Sequence, residues 1–146
     1  MIAALLMAIS ITLPPKPPIE PPIEPCESYQ AQQRYNFISE NDLVLVKVSC
    51  YYADSGARTA SGEIPIEGMI SSNRQHLGMD MLLFDENLNV EARFYCTDIG
   101  GHEMLQNGTA VDFYRNDLTR CWQFVNEHKP YVYVKWIPHD SDYELK

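Results

Sequence analysis

Cys96–Gly101 reads Cys-Thr-Asp-Ile-Gly-Gly, and Ala110–Tyr114 reads Ala-Val-Asp-Phe-Tyr, so Asp112 follows Asp98 at a distance of fourteen residues. Each aspartate comes directly after a short run of β-forming residues, and we expect both carboxyl groups at strand ends of one small barrel. The paired glycines favour a turn with positive φ and no side chain above it. Two carboxyl groups placed in this way form a candidate acid/base site. The alternative is that Asp98 opens a turn and Asp112 caps a loop.

The composition around this stretch is that of one small, β-rich domain. The 146 residues are 45% hydrophobic and include nine tyrosines, five phenylalanines and two tryptophans, which is enough for a single buried core. The net charge is -9, and lysine and arginine form no cluster. These features argue against a nucleic-acid partner and against binding to an anionic membrane surface.

The domain itself is predicted to run from residue 41 to residue 138 and to consist mainly of strands. Apolar runs, most of them rich in β-branched and aromatic residues, indicate where the strands lie. They cover residues 43–52, 79–84, 90–97, 109–114 and 131–137. Short strands with one helix predict a mainly β fold, a compact barrel with the helix packed near its end.

The predicted helix has a clear start, a clear end and an apolar stripe. Asn116 or Asp117 is the expected N-cap, and Pro130 ends the helix. The residues expected to face the core, at helical spacing, are Leu118, Cys121, Trp122 and Val125. The acidic tail, residues 139–146, is expected to be frayed.

The N-terminal part of the chain has an unusual composition. Residues 1–13 are uncharged and apolar but too short to span a bilayer comfortably, which suits a secretory signal or a weak anchor. Residues 14–25 are rich in proline and predict a stiff polyproline linker. Residues 26–40 are polar and aperiodic, and we expect a connector with a single helical turn. This organisation predicts a secreted or membrane-anchored, extracytoplasmic protein.

The cysteines and histidines do not form a metal motif. No Cys-x-x-Cys pair occurs, and His76 and His102 lack a third ligand, so we expect no metal; these histidines are candidates for sugar or peptide contacts. In an exported chain one or two disulfides are expected, with three possible full connectivities, and buried free thiols are the alternative. The four cysteines are Cys26, Cys50, Cys96 and Cys121.

Taken in order, these motifs resemble the double-psi β-barrel of murein lytic transglycosylases. The likeness covers residues 44–137 and is greatest to the three-aspartate domain, as in the membrane-bound lytic transglycosylase A type. The segments that carry it are Cys50–Tyr52, Thr59–Gly62, Leu77–Gly78, Thr97–Gly101 and Val111–Tyr114. The sequence Thr-Ala-Ser-Gly-Glu followed by Ser71–Arg74 also resembles the rare lipoprotein A type. The resemblance implies a six-stranded double-psi β-barrel with one packed α-helix.

The resemblance also assigns roles to residues. Asp112 is expected to be the catalytic acid, with Asp98 beside it. The expected substrate-binding residues are Thr59, Ser61, Gly62, Ser71, Arg74, Thr97, Gly100, Gly101 and Tyr114. The chain departs from the family at Ser71, where the first of the three aspartates is expected, and in a longer loop, Met104–Gly108, between the other two. Exposed aromatic residues suited to sugar stacking are Tyr51, Tyr52 and Tyr114.

The function implied is that of a monomeric peptidoglycan lytic transglycosylase, which cleaves the MurNAc-GlcNAc bond and leaves 1,6-anhydro-MurNAc ends. One carboxyl group acts first as acid and then as base, without metal or cofactor. We expect the pKa of Asp112 to be raised by burial against Phe113 and Tyr114 or by the charge of Asp98. Two alternatives stay open: a non-catalytic, expansin-like or barwin-like glycan-binding barrel, favoured by Ser71, and a glycoside hydrolase that uses the two aspartates as a pair.

Overall fold

The computed structural model describes residues 26–53, 56–128 and 130–143, with side chains from Tyr29 onward. The predicted signal or anchor segment, residues 1–13, and the proline-rich linker, residues 14–25, lie outside the described residues. Of the helices in the described part of the chain, none is both long enough and apolar enough to pass through a lipid bilayer.

Six strands and three helices make up the described part of the chain. The strands are β1 (Val44–Tyr51), β2 (Met69–Ser72), β3 (Met79–Phe84), β4 (Val90–Ile99), β5 (Ala110–Tyr114) and β6 (Tyr131–Pro138). The helices are α1 (Cys26–Glu40), α2 (Glu103–Gln106) and α3 (Leu118–His128). The five strands predicted from the sequence are confirmed. β2 and α2 were not predicted, because four residues are too few to display a periodicity.

The strands close into a barrel in the order β1-β5-β2-β4-β3-β6. β1 is parallel to β5 and β2 is parallel to β4, whereas the other neighbouring strands are antiparallel. The predicted mainly β barrel is therefore confirmed as a mixed, closed, six-stranded barrel. Three helices are described where one was expected. Closure pairs every strand on both sides and leaves no free sheet edge.

The core fills the inside of the barrel with apolar side chains from alternate strand positions. Val48, Ile70, Val111 and Phe113 are buried in one cluster. Successive residues of a strand point to opposite faces. Asp112 lies between Val111 and Phe113 on β5 and therefore points to the outer face of the barrel. This alternation separates the hydrophobic core from the candidate site.

Residues 26–40 form a 15-residue helix, so the prediction of a connector with a single helical turn is wrong. The last turns of α1 contact the barrel. Phe37 and Ile38 pack on a cluster that contains Leu82, and Arg34 Nη1 donates a hydrogen bond to the carbonyl oxygen of Glu86 at 2.8 Å. Most of the helix is exposed, and an exposed helix does not need the apolar stripe by which helices are recognised in a sequence.

The predicted N-cap of α3 is confirmed. The carboxylate of Asp117 accepts a hydrogen bond at 2.9 Å from the backbone N–H three residues later. The buried residues of the helix are Cys121 and Phe124. The predicted apolar stripe is wrong for Leu118 and Trp122, which are 51% and 62% exposed. The helix is rotated relative to that prediction because Phe124 packs on Phe94 and Phe113 in the core.

The disulfide joins Cys50, near the end of β1, to Cys121 of α3, with their α-carbons 5.5 Å apart. Cys96 is a buried free thiol. The structure therefore combines the two possibilities that the sequence left open, one disulfide and one buried thiol. Burial raises the pKa of the Cys96 thiol to about 12, so this side chain acts as a small core residue rather than as a nucleophile.

Residues 139–143 of the predicted frayed tail are held against the barrel, so this prediction is wrong for them. The buried carboxylate of Asp80 accepts hydrogen bonds from Nδ1 of His139 at 2.8 Å and from Nε of Arg93 at 2.7 Å. Arg93 also donates to the carbonyl oxygen of Ser141 at 3.0 Å. Burial alone would raise the pKa of Asp80, but these hydrogen bonds lower it. The partners come from β3 and β4, which a reading of the tail alone does not reveal.

Candidate functional site

Asp98 and Asp112 lie in one row of side chains, with Ser71 between them. Ser71 of β2 pairs with Asp112 of β5 on one side and, after a register shift between Ile70 and Ser71, with Asp98 of β4 on the other. Ser49 of β1 pairs with Asp112 and extends the row. Register partners on neighbouring strands point to the same face of a sheet. The two aspartate α-carbons are thus two strand spacings apart, about 10 Å.

Asp112 is the third residue of the five-residue strand β5, so the prediction that it ends a strand is wrong. Phe113 and Tyr114 continue the pairing with β1 beyond it. Asp98 is close to the end of β4, as predicted. A position inside a strand fixes the backbone of Asp112 from both sides, which suits a group that must keep its orientation.

Asp112 is half-buried and lines a cavity of about 300 Å³. Its Oδ1 accepts a hydrogen bond from Oγ of Ser49. Lys47 and His102 also line this cavity. Burial raises the pKa of Asp112 and the charge of Asp98 adds to this, although the Ser49 hydrogen bond acts in the opposite direction. Asp112 therefore keeps its proton to a higher pH than an ordinary aspartate, as a general acid must.

The raised pKa predicts that the ionised form of Asp112 destabilises the folded protein. The folded state binds this proton more tightly than the unfolded chain, so the stabilisation is complete below the unfolded pKa and is lost as pH rises through the folded pKa. We expect Asp112→Asn, which keeps an acceptor for Ser49, to unfold at a higher urea concentration than the wild type at pH 7. The advantage should shrink toward pH ~4.

Urea unfolding at several pH values tests this prediction. Asp142→Asn is the matched control, because Asp142 is exposed and the same change there should leave the free energy of unfolding within about 0.5 kcal/mol of the wild type. A midpoint for Asp112→Asn that is equal to or below that of the wild type at pH 7 would show that burial does not oppose ionisation at this position.

α2 forms a wall of the Asp112 cavity and packs against the segment that follows β4. His102 caps the helix by accepting a hydrogen bond on Nδ1 from the N–H of Met104 at 3.3 Å. A Cβ atom on Gly100 would lie 2.2 Å from Cδ1 of Leu105, whose side chain is buried. Neither Gly100 nor Gly101 has a positive φ, so the predicted reason for this glycine pair is wrong. Gly100 is needed for close packing of α2.

Gly100→Ala is therefore expected to displace α2 and to destabilise the protein by about 1–3 kcal/mol, the usual range for overpacking a core. Gly101→Ala is the matched control, because a Cβ at that position meets no atom within 4 Å. We expect Gly101→Ala to change the stability by less than about 0.5 kcal/mol. Urea denaturation of both variants is the measurement, and an equal effect of the two substitutions contradicts the packing argument.

Asp98 is held by the loop that precedes β2. Its Oδ1 accepts hydrogen bonds from the backbone N–H groups of Ala60 and Ile99, both at 2.9 Å. The N–H of Ser61 donates to the carbonyl oxygen of Thr97, also at 2.9 Å. Two consecutive N–H groups of this loop therefore dock on the end of β4. They fix the direction of the Asp98 carboxylate.

Three predicted substrate-binding residues, Thr59, Ser61 and Gly62, belong to this loop. Oγ1 of Thr59 is 3.0 Å from Oγ of Ser61 and donates to the carbonyl oxygen of Glu63 at 3.2 Å. Gly62 has a φ of 89°, which only glycine adopts readily. None of the three lines the Asp112 cavity. Their described contacts shape the loop that holds Asp98.

The tyrosines differ in their exposure. Tyr52 is 52% exposed, whereas Tyr114 is buried and contacts the ring of Tyr51 edge-on, with 5.5 Å between the ring centroids. The prediction of an exposed Tyr114 is therefore wrong, because its ring packs against that of Tyr51 on the neighbouring strand. Tyr51 is half-buried, and its hydroxyl oxygen is shielded from solvent.

Arg74 and His76 lie in the turn that follows β2. Arg74 is exposed. His76 stacks on Trp136, with 3.7 Å between the ring centroids, and its Nδ1 is 3.1 Å from Oγ of Ser72. Burial lowers the pKa of His76. These contacts place His76 against β6 as a packed, neutral side chain, while Arg74 stays available at the surface.

The sequence analysis missed Ser49 and Lys47 as members of the site. Both alternate with the buried Val46 and Val48, so the sequence alone indicates that they point away from the core. It does not indicate that β1 lies beside β5, which is what brings Ser49 to Asp112.

One other side-chain cluster and one other cavity share no residue with the Asp112 cavity. The ligand atoms of Asp80, His139 and Asp140 lie within 4.8 Å of one another, but Asp80 is already bound by His139 and Arg93. A larger cavity, of about 570 Å³, lies between α1, α3 and β6. It contains none of the predicted site residues.

A comparison of the chain with protein-family models gives no match, and a comparison with curated proteins also gives none. The function must therefore be inferred from the site. A half-buried carboxyl group with a raised pKa, held by Ser49 in a cavity and close to a second carboxylate, is equipped to donate a proton to a bound molecule and to take one back.

Proposed function

We propose that this chain is a peptidoglycan lytic transglycosylase with a barrel of the double-psi type. The observation that carries the proposal is the common register of Asp98, Ser71 and Asp112 on one face of the barrel. In the family that the sequence resembles, the first of three aspartates is expected where Ser71 stands. A mixed, closed, six-stranded barrel also agrees with that resemblance.

The proposed mechanism uses Asp112 twice. Protonated Asp112 donates its proton to the glycosidic oxygen of the leaving sugar, and the resulting carboxylate takes the proton of the muramyl C6 hydroxyl, whose oxygen bonds to C1. Oγ–H of Ser49 stabilises the carboxylate between the two steps. The charge of Asp98 favours the return of the proton to Asp112. No water is consumed, so no second carboxyl group is needed to activate one.

The disulfide between Cys50 and Cys121 supports action outside the cytoplasm, since such bonds persist in oxidising compartments. The uncharged, apolar residues 1–13 support the same localisation. On this proposal the protein is a monomer that acts on glycan strands without a metal or cofactor, and the exposed Tyr52 and Arg74 are available for contacts with them.

Ser71 favours a second candidate, a non-catalytic glycan-binding barrel. A serine between Asp98 and Asp112 removes one negative charge that the family pattern would place there. With less repulsion, Asp112 loses its proton at a lower pH than it would in a cluster of three carboxyl groups. A barrel in which Asp112 is ionised and no longer acts as an acid can still bind sugars at its surface.

Digestion of purified peptidoglycan, followed by mass spectrometry of the soluble products, separates the candidates. Release of fragments with 1,6-anhydro-MurNAc ends is the expected result. Reducing ends indicate a hydrolase in which Asp98 and Asp112 act as the pair. If the protein pellets with cell walls and releases nothing, it is a binding module and the transglycosylase proposal is wrong.

A further inference from the structure

The hydroxyl group of Tyr51 is buried and has no hydrogen-bond partner in the structure. The other such atom among the described residues is Oγ1 of Thr97, the residue before Asp98. An unpaired buried hydroxyl group costs about 1–3 kcal/mol. Phenylalanine at position 51 would give the same ring contacts without that cost. Packing therefore explains the ring of Tyr51 but not its hydroxyl group.

The position of Tyr51 connects it to the carboxyl groups. Tyr51 follows Ser49 by two residues on β1 and pairs with Tyr114, which follows Asp112 by two residues on β5. Residues two apart on a strand point to the same face. Burial raises the pKa of Tyr51 well above its usual range, and the charges of Asp98 and Asp112 raise it further. The hydroxyl group therefore stays protonated and can only act as a neutral donor or acceptor.

Few charged or titratable groups act on Tyr51, Asp98 and Asp112. The charges of Asp98 and Asp112 raise the pKa of Tyr51, and Cys96 and Tyr114 act on it in the same direction. His102, the N-cap residue of α2, acts on Asp112. The described hydrogen bonds to the two carboxyl groups come from Ser49 Oγ and from two backbone N–H groups. Tyr51 thus carries a buried O–H group on the same face of β1 as Ser49, and that group has no hydrogen-bond partner in the structure.

We propose that Tyr51 is a positioning residue whose hydroxyl group donates a hydrogen bond to the Asp98–Asp112 pair when both carboxyl groups are ionised. In the proposed reaction, on which the catalytic meaning of this inference rests, the pair becomes doubly negative after Asp112 has given its proton to the leaving oxygen. The O–H group of Tyr51 stabilises that state until Asp112 takes the C6 hydroxyl proton. The titration of the pair itself does not depend on the reaction.

The test is the titration of the two carboxyl carbons by ¹³C NMR in wild type and Tyr51→Phe, with assignments from Asp98→Asn and Asp112→Asn. Loss of the donor should raise the upper titration midpoint of the pair by about one pH unit. Tyr51→Phe should be as stable as the wild type or more stable, because an unpaired buried hydroxyl group is removed. Tyr52→Phe, at the exposed neighbouring position, should leave the midpoint unchanged.

An unchanged or lowered upper midpoint in Tyr51→Phe overturns the inference, because the hydroxyl group then does not donate to the ionised pair. If digestion yields anhydro ends while this midpoint stays in place, the proposed function stands and the role of Tyr51 is wrong. If the midpoint rises but digestion yields no anhydro ends, Tyr51 tunes the pair in a protein of another function. In the active enzyme, the basic limb of the kcat/KM profile should move up with the midpoint.

Discussion

Asp112→Asn is expected to lower the rate at which 1,6-anhydro-MurNAc ends form by about a thousandfold or more. An amide cannot donate the proton to the glycosidic oxygen or accept one from the C6 hydroxyl group, so both steps lose their general acid or base. Asparagine has nearly the same size and still accepts a hydrogen bond from Ser49. The substitution therefore removes the chemistry and preserves the packing around the cavity.

The controls for this variant separate chemistry from folding. Because burial opposes ionisation of Asp112, Asp112→Asn should be at least as stable as the wild type at pH 7, so a loss of product does not report unfolding. Asp142→Asn, which changes an exposed carboxylate, should retain full activity. Release of anhydro ends by Asp112→Asn at the rate of the wild type rules out this residue as the acid.

Removal of the disulfide should have the largest effect on stability. The Cys50–Cys121 bond spans a sequence separation of 71 residues. A cross-link of this length restricts the unfolded chain and contributes about 2–4 kcal/mol. We expect the double variant Cys50→Ser, Cys121→Ser to lose that amount in urea unfolding. Since Ser49 precedes Cys50, loosening this end of β1 should also weaken the contact with Asp112.

Reductant provides the internal control for the disulfide prediction. A thiol-free phosphine should lower the unfolding midpoint of the wild type to that of the double variant and should leave the double variant itself unchanged. Cys96 stays buried in all these samples and is common to them. Equal midpoints for the oxidised wild type and the double variant contradict a stabilising role for the bond.

The strands were predictable because most of them carry their own signal. β6 combines β-branched and aromatic residues, β3 is apolar at five of its six positions, and the bounds of both are close to those predicted. β2 is short and depends on its pairing with β4 and β5. α1 has no apolar stripe because its contacts with the barrel are made by its last turns. The rotation of α3 depends on the packing of Phe124 against Phe94 and Phe113, which come from strands distant in the sequence or on the other side of a turn.

The site was predictable only in part. Asp98 and Asp112 stand out in the sequence, and the structure brings them together on either side of Ser71. The residues that contact these aspartates or shape the cavity cannot be recognised in the sequence. Ser49 reaches Asp112 through a parallel pairing across 63 positions, and Gly100 owes its close contact to Leu105 in a helix that was not predicted. Residue type identifies the chemical groups, but long-range pairing decides what surrounds them.

A structure of the inactive Asp112→Asn variant with a peptidoglycan oligosaccharide tests the central claim most directly. The account predicts a MurNAc-GlcNAc bond in the cavity lined by Ser49 and His102, with its bridging oxygen within about 3 Å of the side chain at position 112. An oligosaccharide in the larger cavity between α1, α3 and β6, or one whose bridging oxygen lies far from position 112, contradicts it.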